Sequence, residues 1–147
     1  MKSAIPLMSA TVTSLRLINL KASTLTIPVK RIFMYTSLGL TTLAFIAAGS
    51  AKLAGVEQMH LSFALMGLPA WFGYFIGASE LAGAIAIWIK KLSILAASGL
   101  LIIMAGATFF HVVYDSVANA IPAVILCAFL INIIINRVND INALDSK

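Results

Sequence analysis

Along this chain the polar positions fall in short clusters and the apolar positions in long blocks. Four blocks, residues 32–53, 70–89, 92–113 and 118–135, reach the length of about 17–25 residues that a membrane-spanning helix needs. Trp71, Phe72 and Tyr74 stand at the start of the second block and Trp88 at its end. Both places suit the aromatic belts at the two membrane interfaces. Residues 54–70, between the first and second blocks, are too apolar for an ordinary loop. Val56, Met59, Phe63 and Met66 recur there at helical spacing, with Glu57, Gln58, His60 and Ser62 among them. That pattern predicts a short amphipathic helix lying at the interface, or a re-entrant segment. Gly67-Leu68-Pro69 ends it, because the residue before a proline is disfavoured in a helix. The other links, Lys90-Lys91 and residues 114–117, are short. Short links make antiparallel neighbours. The expected fold is all-α: a four-helix transmembrane bundle with a short interfacial helix between spans one and two.

The flanks differ. Residues 1–31 are rich in Ser and Thr, are interrupted by Pro6 and Pro28, and read as a basic tail, either disordered or with a weak amphipathic turn at Leu15-Arg16-Leu17-Ile18 on the membrane surface. Residues 136–147 read as a polar tail. Ala47-Ala48-Gly49-Ser50-Ala51 has the small residues of a signal cleavage site. The preceding tail is long for a signal peptide and further spans follow, so the first block is read as a retained helix.

Composition agrees with a membrane setting. The chain has 147 residues, of which 61% are hydrophobic and 10% charged. Soluble domains carry about 25% charged residues, so there is too little polar surface here to coat a globule in water. The net charge of +5 belongs to the first 31 residues, where Lys2, Arg16, Lys21, Lys30 and Arg31 have no acidic counterpart. Beside a span, such a tail is a topology signal rather than a nucleic-acid site. With four spans, the tail, the Lys90-Lys91 turn and Arg137 share one side. The positive-inside rule makes that side cytoplasmic, for a multi-pass protein of the plasma (bacterial inner) membrane with both termini inside. Cys127 is the one cysteine, so no internal disulfide and no paired-thiol redox chemistry can operate. His60 and His111 have no ligand-spaced partner, and no metal site is expected. No phosphate loop, dinucleotide fingerprint or nucleophile elbow is present.

The chemistry concentrates on Glu80. A carboxylate in the middle of an apolar block costs roughly 2.5–3.5 kcal/mol on insertion scales, so it needs a partner, a wet cavity or a task. Gly77 and Gly83 lie three residues to either side and share its helix face, while Gly73 and Gly77 form a GxxxG spacing. Small residues let another helix come close, so Gly73, Gly77 and Gly83 are packing candidates and Glu80 is expected to face inward. Lys52 ends the first block and His111 lies near the outer end of the third. Glu80 is about ten residues into its span, roughly 15 Å below the outer end. A Lys52–Glu80 contact therefore requires that span to be tilted or to begin late. The expectation is a polar cluster of Lys52, Glu80 and His111 opening outward. The plainer alternative is a structural carboxylate bonded across the helices, with His111 an interfacial residue.

Together these residues resemble the DoxX-like family of small four-span membrane proteins. The resemblance rests on Ala48-Gly49-Ser50-Ala51-Lys52-Leu53, on Phe63 with Met66-Gly67-Leu68-Pro69, on Gly77-Ala78-Ser79-Glu80-Leu81-Ala82-Gly83-Ala84, and on Met104-Ala105-Gly106-Ala107 with His111. It covers residues 32–135, and its characteristic polar positions map onto Lys52, Glu80 and His111. The family takes its name from a small subunit of a membrane thiosulfate:quinone oxidoreductase, and other members are associated with oxidative-stress complexes. The resemblance implies a quinone-linked or redox-associated subunit. No redox cofactor motif is evident, so quinone is the one cofactor implied and electrons would come through a partner protein.

Three functions remain in view: that redox subunit, a non-catalytic membrane scaffold, and a permeation factor for a small solute or proton. Whether the chain is an enzyme is left open. The partners expected are the lipid bilayer, a membrane or peripheral redox protein and further copies of the chain, with no nucleic acid.

Overall fold

The computed structural model describes the backbone of residues 5–145 and the side chains of residues 14 and 29–144. Five helices follow in order: α1 (Ile5–Leu53), α2 (Glu57–Leu65), α3 (Trp71–Ala86), α4 (Ser93–Tyr114) and α5 (Ile121–Asp145), with a 3-10 turn at Val117–Ala120 before α5. No strand occurs among the described residues. The chain divides into two units, Met1–Tyr35 and Thr36–Lys147.

In the first unit the backbone is helical from Ile5, where a disordered tail or a single weak turn was expected. The first four residues of that expected tail lie outside the described residues. The physical reason is local. No glycine occurs before Gly39, and Pro6 sits in the first turn, where its missing N–H leaves no helical bond unmade; Pro28 lies in the interior of α1, which continues through it at the loss of one helical bond. The expected polar tail after residue 135 is likewise helical, since α5 continues to Asp145.

In the second unit α1 and α3 run antiparallel. Thr42 meets Trp88, Gly49 meets Leu81, and Leu53 meets Gly77, so the contacts on the two helices run in opposite order. Gly83 of α3 packs on Leu100 of α4, α4 lies along α5, and Asn132 of α5 donates to Ser37 of α1 at 3.1 Å. Leu38, Phe45, Ile87, Leu100, Leu130 and Ile133 fill the interior. The outside is apolar: Leu43, Leu95 and Ile102 are 68%, 74% and 74% exposed. Bare leucine and isoleucine repeated along long helices suit lipid, not water.

Three stretches are long and apolar enough to cross a membrane: Val29–Leu53, Ser93–Tyr114 and Val117–Leu144. Helix α3, with 16 residues, has an axial length of about 24 Å, less than a bilayer core of about 30 Å. The chain leaves the regular helix at Ile87 and turns through Trp88–Leu92 into α4. Helix α2 forms within the connection between α1 and α3, and none of its nine residues is buried.

Two glycines make that connection possible. Gly55 follows α1 with φ +72°, and Gly67 follows α2 with φ +73°, a region that side-chain-bearing residues rarely adopt. After α1, Val56 N–H bonds the carbonyl of Ala51 and Gly55 N–H that of Lys52. After α2, Leu68 N–H bonds Phe63 and Gly67 N–H bonds Ala64. Both pairs are Schellman ends, which satisfy the last carbonyls and turn the chain sharply.

Candidate functional site

The site begins where α1 and α3 touch. A Cβ placed on Gly49 would stand 2.8 Å from the Gly77 carbonyl oxygen, and one on Gly77 would stand 2.8 Å from the Lys52 Cβ. Only glycine on both sides allows that approach. It sets the last turn of α1 directly against the first half of α3.

Lys52 then reaches Glu80. Its Nζ donates to Oε1 at 3.0 Å and to Oε2 at 2.8 Å. The Glu80 side chain is 1% exposed and the Lys52 side chain 12%. Among the described residues Lys52 is the hydrogen-bond partner of this carboxylate. The contact forms because the end of α1 lies level with Gly77, three residues before Glu80, and side-chain direction completes it. Every Cα–Cβ bond in a helix tilts toward its own N-terminus. On antiparallel helices Lys52 therefore leans down along α1 while Glu80 leans up along α3, and the two ends meet.

A second layer closes over the pair. His60 of α2 donates from Nε2 to the Lys52 carbonyl oxygen at 2.8 Å; a carbonyl only accepts, so this nitrogen carries the proton. The His60 ring lies 4.5 Å, centroid to centroid, from that of Tyr74 and presses on Gly73, where any side chain would collide with it. The three glycines of α3 thus serve three neighbours: Gly73 admits His60, Gly77 admits α1, and Gly83 admits Leu100. Beside this layer an open depression is lined by Glu57, His60, Leu61, Phe63 and Leu68.

His111 has a different partner from the Lys52–Glu80 pair. Its Nδ1 donates to Oδ2 of Asp115 at 2.8 Å, and Asn119 Nδ2 donates to the same oxygen at 2.9 Å. Asp115 lies in the link after α4, outside the candidate spans. The Asn119 amide, then His111, then the Ser116 backbone hold its carboxyl down at about 2. No group of three or more His, Cys, Asp or Glu side chains able to hold a metal occurs among the described residues.

A polar layer around the α3–α4 turn carries no local signal in the sequence. Arg137, placed there in the tail, is 9% exposed, and its Nε donates to Ser93 Oγ at 3.2 Å. Trp88 Nε1 donates to Thr42 Oγ1 at 2.8 Å. Partners such as Arg137 and Ser93 lie 44 positions apart, and no local pattern joins them.

The DoxX-like family model matches residues 36–133, about two thirds of the chain. The chain belongs to the DoxX-like family. No curated protein and no solved structure matched it. Family membership and the long apolar helices make it an integral membrane protein.

Proposed function

We propose that this DoxX-like chain is a four-span subunit of a quinone-linked membrane redox system, with Lys52 and Glu80 at the quinone head group. Helix α3 with its flanking turns is the fourth span, α2 lies at the outer interface, and both termini face the cytoplasm of a bacterial inner membrane. Trp71 at the start of α3 and Trp88 in the turn just beyond its end support that placement. So does the Lys and Arg distribution, in which Lys52 is the basic residue of the outer side.

The observation that carries the reading is the pair itself: a carboxylate 1% exposed whose partner is a lysine still 12% exposed. Ionisable groups at membrane depth are costly and mark functional positions. Reducing a quinone to a quinol takes two electrons and two protons. Lys52 would hold a quinone carbonyl oxygen with its remaining N–H, and the Lys52–Glu80 pair would hand on the two protons, each replaced from water. The electrons come from a partner protein. His60 holds the Lys52 backbone and orients the pair.

One observation favours a scaffold instead. Both Glu80 oxygens are already engaged, at 3.0 and 2.8 Å, which is what a helix clamp requires. Thermal unfolding of the purified full chain with short-chain quinones of several head-group types separates the two. The redox reading expects stabilisation by at least one quinone, lost in Glu80→Gln, because a ligand that binds only the folded state raises its stability. No shift with any quinone, or the same shift in Glu80→Gln, favours the scaffold.

A further inference from the structure

The α3–α4 turn and α5 bring three cations to one end of the molecule. Lys90 and Lys91 form the turn and are exposed. Arg137 joins them through Ser93, two residues beyond Lys91, by the Nε bond at 3.2 Å. The guanidinium is not saturated there. Its Nη1 stands 4.0 Å from Asp140, whose side chain is 66% exposed, and that is long beside the roughly 2.7–2.9 Å of a charge-assisted bond. Among the described residues Nη2 has no partner, and neither do the Lys90 and Lys91 ammonium groups.

The level of this cluster is defined. Arg137 lies within the stretch Val117–Leu144, seven residues before its end, but it bonds Ser93, the first residue of the stretch Ser93–Tyr114, and with Lys90 and Lys91 next to Ser93 we take this end as the head-group level. Ile89 and Leu92 on the turn, and Ile141 one turn beyond Arg137, are exposed apolar side chains at the same end. A ligand that satisfies all of this carries a phosphate at head-group level and acyl chains beside it. An arginine fork suits phosphate oxygens, and lysine adds point charge. Basic pockets between membrane helices hold anionic head groups by this chemistry.

We propose that Arg137, Lys90 and Lys91 form a binding site for the head group of an anionic phospholipid. The phosphate takes the free Nη2 of Arg137, displaces the long contact to Asp140, and is flanked by the two lysines. The site is separate from the Lys52–Glu80 pair, and neither proposal depends on the other.

The test titrates the full chain in detergent with phosphatidylglycerol or phosphatidylcholine of identical acyl chains, read by native mass spectrometry. Phosphatidylglycerol should bind about tenfold or more tightly, as two or three juxtamembrane cations imply. K90Q/K91Q changes only exposed side chains, so it should keep the lipid-free unfolding temperature and lose most of that preference. R137K keeps the charge and loses the fork, and should also weaken the preference. Inorganic phosphate should not displace the bound lipid, because it has no acyl chains. Equal binding of the two lipids, an undiminished preference in K90Q/K91Q, or full displacement by inorganic phosphate would overturn the proposal.

Discussion

Removing Lys52 and removing Glu80 should have unequal effects, and removing both should nearly restore the protein. In Lys52→Met the Glu80 carboxylate stays 1% exposed and loses the partner to both of its oxygens. Breaking a buried pair in this way costs about 3–5 kcal/mol. In Glu80→Leu the freed ammonium has an escape. It ends the last turn of α1 and is already 12% exposed, so its four-carbon stem can swing outward to water, and the loss should be about 1–2 kcal/mol. In the double variant no charge is stranded and two apolar side chains of similar bulk fill the space. Its stability should fall within about 1 kcal/mol of wild type, as for other buried pairs replaced by hydrophobic residues. The coupling energy is then about 3 kcal/mol or more. Equilibrium unfolding of the four proteins in one detergent, followed by helical circular dichroism, measures it. Additive single effects, with coupling below about 0.5 kcal/mol, would refute the claim that these two side chains act as one unit.

Three further outcomes follow from the same geometry. Gly77→Ala should lose about 1–3 kcal/mol, because its methyl would stand 2.9 Å from the Gly49 carbonyl oxygen and no backbone can yield there cheaply. Gly99→Ala meets nothing within 4 Å and should gain up to about 1 kcal/mol from helix propensity; both are read by thermal unfolding. Asp115 titrates at about 2 against an ordinary 3.8, so its contacts stabilise the fold fully above pH 4 and are lost as the pH falls toward 2. Asp115→Asn should remove that acid-side component from the stability–pH curve, and a curve identical to wild type between pH 4 and 2 would contradict it.

What could be read from the chain, and what could not, follows from the range of each interaction. The apolar blocks, Glu80 and its flanking glycines are local patterns, and helical periodicity placed Gly77 and Gly83 on one face with Glu80. From the sequence, Lys52 at the outer end of its span and Glu80 about ten residues into the next stand roughly 15 Å apart in depth. In the structure α1 ends opposite Gly77, so Lys52 stands only three residues, about 4.5 Å of rise, from Glu80, and the opposed tilt of the two side chains closes that remainder. His111 and Asp115 are four residues apart, the spacing of neighbours on a helix face, so this bond is legible in the sequence. Arg137–Ser93 depends on how α4 and α5 pack, which neither segment encodes alone. The length of α3 depends on where the chain leaves the helix before Lys90-Lys91, and hydropathy does not mark that point.

The most direct test of the account asks whether α3 crosses the bilayer and so carries Glu80 to membrane depth. Val56→Cys, before α2, and Lys91→Cys, after α3, are made singly in a Cys127→Ala background and treated in intact cells with a membrane-impermeant maleimide. Both positions are exposed, so access depends on the side of the membrane. The account predicts that position 56 labels at once and position 91 only after permeabilisation. Labelling of both from the same side would place α3 outside the membrane and contradict it.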